Sequence, residues 1–492
     1  MTINAYIEQL IAYAQKYLLL SRRDITYTRN RLFDILGVES NEQGDFDEIP
    51  ELPDSILQGI FACLEQEGKA FDKATLGEKL MDAVMLRPSE YETIFWEESE
   101  AFPVDATDWA YDYAVHSDYV KKSAIDKNLK WLAETGLEIT INLSKPEKNN
   151  KDLQKQLDVK STSYPLCAIC RDNEGFERPG FSRRNMRTIS LELAGEPWFW
   201  QYSPYAYFNE HGIAVSCEHT PMKLDEKTAV RLFDFVDRFP HYFIGNNAPL
   251  PRVGGSILMH DHFQGGRYIL PMQKVGYRTL LKSKKYPDVK AGILDWHNTA
   301  LRLEGKRDEV AALAYKIAEA WRKYENAELD ILPFTGETPH STASFIARKT
   351  DERYILDIIL RNNRQSEEHP DGIFHAHREY HHIKSESIGL IEAMGLFILP
   401  ARLKRQLFTV KRILAGEKVE LAEDMLMFKP MIERLQKEHG VVSAHDAETI
   451  VKCEVENTCR SILENTAVFK GDKEGQSALV KFLSSVGLKT ER

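Results

Sequence analysis

The run Ile257-Leu258-Met259-His260-Asp261-His262-Phe263-Gln264 carries two histidines and a glutamine at alternate positions, 260, 262 and 264. Read as a strand, it sends alternate side chains to opposite faces. His260, His262 and Gln264 then stand in one row, and Asp261 and Phe263 face the other way. Gly254-Gly255-Ser256 precedes the row, and glycines there suit a close approach of backbone to a ligand. Ile257-Leu258-Met259 and Phe263 suggest extended structure, with two surface histidines on a half-exposed strand as the plainer alternative.

The flanking sequence divides by texture. Apolar residues three and four apart over 3–20 predict an amphipathic helix, and further helices are predicted at 53–65, 74–84 and 106–133. Strand-like runs follow at 136–143, 187–193, 198–202, 211–217, 254–259, 262–270 and 297–303, with a helix at 224–237. The polar, lysine-rich stretch 144–160 reads as an exposed connection. A helix at 307–326, strands near 342–348 and 353–361, and helices over 400–490 complete the chain. The expected class is α+β, in four segments: a helical region 1–135, an α+β unit 136–305, a second α+β unit 306–415, and a helical region 416–492. Both 187–303 and 330–415 carry strands, an H-x-H and a helix, which suggests a duplicated unit.

The residue types in the row have a use. Neutral imidazole is a good nucleophile toward phosphorus near pH 7, because its unperturbed pKa is about 6.5. A side-chain amide beside it can hold a phosphoryl oxygen. A second constellation is Cys167-x-x-Cys170. It reads as half of a zinc site, with two buried thiols or a redox pair as alternatives. His219 and His260 are candidates for the missing ligands, and Cys217 ranks below them. A third cluster, His340, His369, His375, His377, His381 and His382 with Lys384, suggests either a phosphate or metal site or an exposed polar loop. Asn246-Asn247 offers contacts to a ribose or phosphate, or a turn. Arg183, Arg184 and Arg187 would either meet phosphates or form a solvated charge run.

The bulk numbers narrow the partners. A formal net charge of -11 over 492 residues argues against a general nucleic-acid binder. No stretch approaches the run of about 20 apolar residues a membrane helix needs. No secretion signal is read at the N-terminus, which favours the cytoplasm and makes the six cysteines an unlikely disulfide framework.

The row His260-x-His262-x-Gln264 resembles the active-site strand of the galactose-1-phosphate uridylyltransferases, a branch of the histidine-triad superfamily. Gln201-Tyr202-Ser203-Pro204-Tyr205 with Asn209-Glu210-His211, the run Gly254 to Gly266, and His381 through Gly395 are similar to the class II form of Gram-positive bacteria. The resemblance implies histidine-triad-like antiparallel sheets. It implies His262 as the nucleophile and Gln264 as the contact to the α-phosphoryl group. It implies a structural zinc on Cys167, Cys170, His219 and His260. Asn209, Asn246 or Asn247, Gly255, Ser256, Lys384 and Glu392 would contact substrate. The reaction implied is transfer of UMP from UDP-glucose to galactose-1-phosphate through uridylyl-His262, as in the Leloir pathway, by a homodimer. Two departures stand out. The stretch 272–278 has no carboxylate for the second metal of class I, and the helical first 135 residues match nothing in class I. The rival readings are a histidine-triad hydrolase or dinucleoside phosphorylase, which Gln264 disfavours, and a zinc-stabilised binding protein without catalysis.

Overall fold

The structure, a computed structural model, describes residues 1–39, 44–143, 164–177, 183–255, 257–351 and 353–491. The expected connection 144–160 and Ser256 lie outside these residues. The chain forms two compact units, each assembled from separate segments: 1–127, 161–220 and 260–267 in the first, and 128–160, 221–259 and 268–492 in the second.

The first unit opens with helices. Ile3–Tyr17 is capped by the Thr2 side chain, which accepts from the Ala5 amide, and it buries Ile7, Leu10, Ile11 and Ala14. Asp54–Gln66 and Lys73–Val84 form as their apolar spacing predicts. Ile25–Leu36 and Pro88–Ala101 are additional. The second of these buries only Tyr91 and Phe95, a stripe too thin to show as a period, and it is set by proline at its first turn. The helix expected over 106–133 is shorter. Pro103–His116 ends where Asp118 turns left-handed (φ 55°), and residues 129–132 form a strand. These helices accompany an antiparallel sheet of four strands in the order Ile189–Leu193, Glu196–Tyr202, Gly212–Ser216, His262–Gly266.

In the second unit, seven antiparallel strands run in the order 488–490, 277–283, 290–294, 300–305, 353–362, 341–350, 243–246. Helices Thr228–Arg238 and Arg307–Trp321 pack on the long strands Ser341–Thr350 and Arg353–Asn362. Trp321 pins that layer by donating its indole N–H to the carbonyls of Thr342 and Arg361. A smaller sheet pairs Leu129–Leu132 with Glu138–Asn142, and Leu396–Pro400 runs parallel to the latter. The C-terminal region is helical as expected, with helices Arg402–Leu414, Lys429–His439, Ala444–Thr466 and Lys473–Ser485. The fold is thus α+β with antiparallel sheets. No described helix is long and apolar enough to cross a membrane.

One predicted strand is absent. The described residues of 254–259 form no strand, and the ladder begins at His262. Arg252 is left-handed (φ 68°) and the chain doubles back. A Cβ on Gly254 would lie 1.9 Å from the Ala248 carbonyl oxygen, so no side chain fits there.

Candidate functional site

Within the first unit, the strand His262–Gly266 pairs with Gly212–Ser216, placing His262 opposite Val215 and Gln264 opposite Ile213. Phe263 faces the other way and stacks on Trp198, with centroids 4.7 Å apart and planes at 10°. This apolar contact fixes the register that turns His262 and Gln264 to the opposite face. His260 stands just before the ladder, so the row is part strand and part turn.

His262 is buried, with 6% of its surface exposed. Its Nδ1 lies 2.8 Å from the His260 carbonyl. A carbonyl only accepts, so Nδ1 carries the proton and Nε2 keeps its lone pair. Burial lowers its pKa to about 4, the Nδ1 contact opposing only in part, so the ring is neutral at pH 7. Gln264 is half-buried, and its Oε1 is 3.3 Å from His211 Nε2.

His260 presents the complementary arrangement. Its Nε2 donates to the Ser216 carbonyl at 2.8 Å, leaving Nδ1 as the lone-pair atom. That Nδ1 lies 3.3 Å from Cys167 Sγ and 3.7 Å from Cys170 Sγ, and the two sulfurs are 3.4 Å apart. The His219 ring lies 4.4 Å from that of His260, and its buried Nε2 has no hydrogen-bond partner. One ligand atom from each of Cys167, Cys170, His219 and His260 falls within 4.8 Å of the others. A tetrahedral ion with bonds of about 2.0–2.3 Å would hold such atoms about 3.3–3.8 Å apart. The four residues fit a metal, and the orphaned His219 nitrogen adds to that fit. Cys217 is exposed and outside this group. Asn173, which sequence reading missed, donates to the carbonyls of both Cys167 and Cys170 at 3.0 and 2.8 Å and so shapes the loop.

Asn209 donates to the buried Glu210 carboxylate at 2.7 Å, and Arg267 pairs with the same carboxylate at 2.6 Å. Of the three arginines after the cysteine pair, Arg184 and Arg187 both hold Asp82, each at 3.0 Å. Arg187 also donates to the carbonyls of Leu86 and Met186. These two stitch the helices to the sheet, so the phosphate-meeting alternative for them gives way to a structural one. Arg183 donates to the Tyr119 hydroxyl.

The remaining candidates lie in the second unit. Asn246 donates to the Asn247 and Ala343 carbonyls and accepts from the Phe345 amide, so it is a sheet residue. Asn247 accepts from the Leu390 amide at 3.0 Å, and its buried Nδ2 has no partner. A Cβ on Gly255 would come within 2.7 Å of that nitrogen, so only glycine leaves room beside the amide. Glu392 accepts from the Gly389 amide and pairs with Lys384 at 3.2 Å. Lys384 is enclosed, and its ammonium also holds Glu386 and the Ile398 carbonyl. Burial alone would lower its pKa, but the two glutamates raise it. Its three donors therefore all have protein acceptors.

The histidine cluster is not a metal centre among the described residues. His375, His377, His381 and His382 each bond a local backbone carbonyl, and His340 bonds Asn363 and Thr335. His375 and His377 sit in a coil, not on a strand. Burial lowers His375 and His382 to about 4. Their folded pKa lies below the unfolded value of about 6.5, so the unfolded chain binds more protons between these limits and stability falls as pH drops through that window. Each would remove up to about 3 kcal/mol by the foot of the window. The expected result is a melting temperature that declines steeply from pH 6.5 to 4, with a shallower decline in His382→Gln. A flat profile would mean these rings are not buried neutral.

Known proteins resemble this chain along nearly its whole length. The galactose-1-phosphate uridyl transferase N-terminal domain matches residues 20–221, and the C-terminal domain of the same name matches 234–413. The galactose-1-phosphate uridylyltransferases of Halalkalibacterium halodurans and Bacillus subtilis are each 40% identical to this chain over 510 residues, covering 99% of both partners. Galactose-1-phosphate uridylyltransferase 1 of Streptococcus pneumoniae is 38% identical, again over 99% of each chain. Among solved structures, yeast Ap4A phosphorylase Apa2 aligns with 60% of this chain and 88% of its own at 11% identity, with a TM-score of 0.32, too low to bear on function. Two domain matches spanning most of the chain, and end-to-end relatives at 40% identity, place it plainly: the chain belongs to the galactose-1-phosphate uridylyltransferase family of transferases.

Proposed function

We propose that the protein transfers UMP from UDP-glucose to galactose-1-phosphate through a covalent uridylyl-His262 intermediate, as a step of galactose metabolism. The observation that carries this is the tautomer of His262. Its Nδ1–H is fixed on the His260 carbonyl, so the nucleophilic nitrogen is Nε2, on the face it shares with Gln264.

In the first step Nε2 attacks the α-phosphorus of UDP-glucose. A P–N bond forms, the P–O bond to the β-phosphate breaks, and glucose-1-phosphate leaves. The ring now carries positive charge, which the His260 carbonyl stabilises through Nδ1–H and the anionic phosphoryl oxygens offset. The Gln264 amide donates to one of those oxygens. In the second step a phosphate oxygen of galactose-1-phosphate attacks the same phosphorus, the P–N bond breaks, and neutral His262 returns. Positioning and charge stabilisation suffice for such transfers, and ping-pong kinetics follow.

Cys167, Cys170, His219 and His260 would hold a structural zinc, whose chemistry there is to fix the Cys loop and His260 rather than to activate water. In the second unit, the buried Asn247 amide beside Gly255, which has no partner for its Nδ2, suits a ligand oxygen.

Incubation with UDP-glucose and no acceptor tests the reading. Intact mass should rise by one uridylyl group, mapped to His262 and discharged by galactose-1-phosphate. A folded protein that turns over without any such adduct would require direct transfer between substrates instead.

A further inference from the structure

We propose that His211 is a positioning residue that selects the working orientation of the Gln264 amide. The inference rests on the reading above, in which Gln264 donates to the α-phosphoryl group.

A glutamine amide is nearly symmetric in shape but not in chemistry. Turned one way it offers two N–H donors to a ligand, and turned the other way it offers a carbonyl oxygen. Against an anionic phosphoryl oxygen only the first attracts. Something must therefore choose between them, and His211 is the group in contact.

The choice follows from a backbone atom. The Tyr207 amide lies 3.4 Å from His211 Nδ1, and a backbone N–H can only donate. Nδ1 is thus the acceptor, and the proton of the neutral ring sits on Nε2. His211 Nε2–H then donates to the Gln264 oxygen, 3.3 Å away. With its oxygen held there, the Gln264 NH2 group turns away from His211 and is left for the ligand. The reverse orientation would set an N–H of Gln264 against the N–H of His211.

His211 is itself held hard. Only 2% of its surface is exposed. Its ring stacks on Tyr207 with centroids 4.9 Å apart and lies tilted against Phe208 at 4.6 Å. Its own amide donates to the Phe208 carbonyl, and its carbonyl accepts from the Ser203 amide. The next residue, Gly212, pairs with Gly265 in the ladder that carries Gln264, so the two side chains belong to one rigid piece of sheet.

A double-mutant cycle on the uridylylation half-reaction tests this. Single-turnover rates with UDP-glucose are measured for wild type, His211→Phe, Gln264→Ala and the double variant, with melting temperatures for all four. Phe keeps the ring packing and removes the N–H. His211→Phe is expected to slow adduct formation on the order of 10- to 100-fold, with little change in UDP-glucose affinity. Once Gln264 is Ala, adding His211→Phe should cost no more than about twofold further, because residues that act as one unit are not additive. Should the Phe variant fail to fold, His211→Ala enters the same cycle. Losses that multiply in the double variant would overturn the proposal, since His211 would then act on something else. A wild-type rate for His211→Phe beside a slow Gln264→Ala would overturn it while leaving the Gln264 reading intact. A wild-type rate for Gln264→Ala would sink both.

Discussion

His262→Ala is expected to lose the transfer by at least ~10⁴-fold, the scale seen when a covalent nucleophile is removed from an enzyme that acts through it. The variant should bind UDP-glucose yet take up no uridylyl mass. It should also fold. The change leaves the His260 carbonyl without its donor, at a cost of about 1–3 kcal/mol, and the Trp198–Phe263 stack that sets the strand's register is untouched. Single-turnover kinetics and intact mass together decide the matter. An adduct that persists on another residue, or turnover within tenfold of wild type, would end the assignment of His262.

The second large effect concerns the Cys-His group. Purified protein is expected to contain one zinc per chain. Cys167→Ser should lose metal and stability together, because a structural zinc contributes on the order of 10 kcal/mol to folding. The physical reason is visible in the geometry. Two sulfurs 3.4 Å apart and an imidazole lone pair at 3.3 and 3.7 Å from them stand at about the spacing that ligands of one tetrahedral ion share. Metal analysis and calorimetry give the readout without recourse to activity. A stable Cys167→Ser protein with full metal content would refute these ligands.

The sequence exposed the candidate site groups better than what holds them. Alternation at His262 and Gln264 was legible because a strand prints its two faces into every second residue, whereas His260 stands just before that strand. Cys167-x-x-Cys170 was legible by spacing. His211 and Asn173 were not, since one acts 53 residues from its partner and the other on backbone carbonyls that leave no mark in composition. Charged residues misled in the other direction. Arg184 and Arg187 look like phosphate contacts until Asp82, about a hundred residues earlier, is found between them. The helix Pro88–Ala101 escaped notice because it buries too little to repeat, and the strand expected at 254–259 gave way to a turn that only the crowding around Gly254 demands.

His260 serves two masters. Its ring faces the cysteines, while its carbonyl holds the proton of His262. A molecule whose Cys-His group is disordered cannot be expected to present His262 in the right tautomer, so damage there should act as a switch on each molecule rather than a brake. In a mixed preparation the shortfall would appear in the burst amplitude, as a census of competent molecules, while each survivor keeps its full speed.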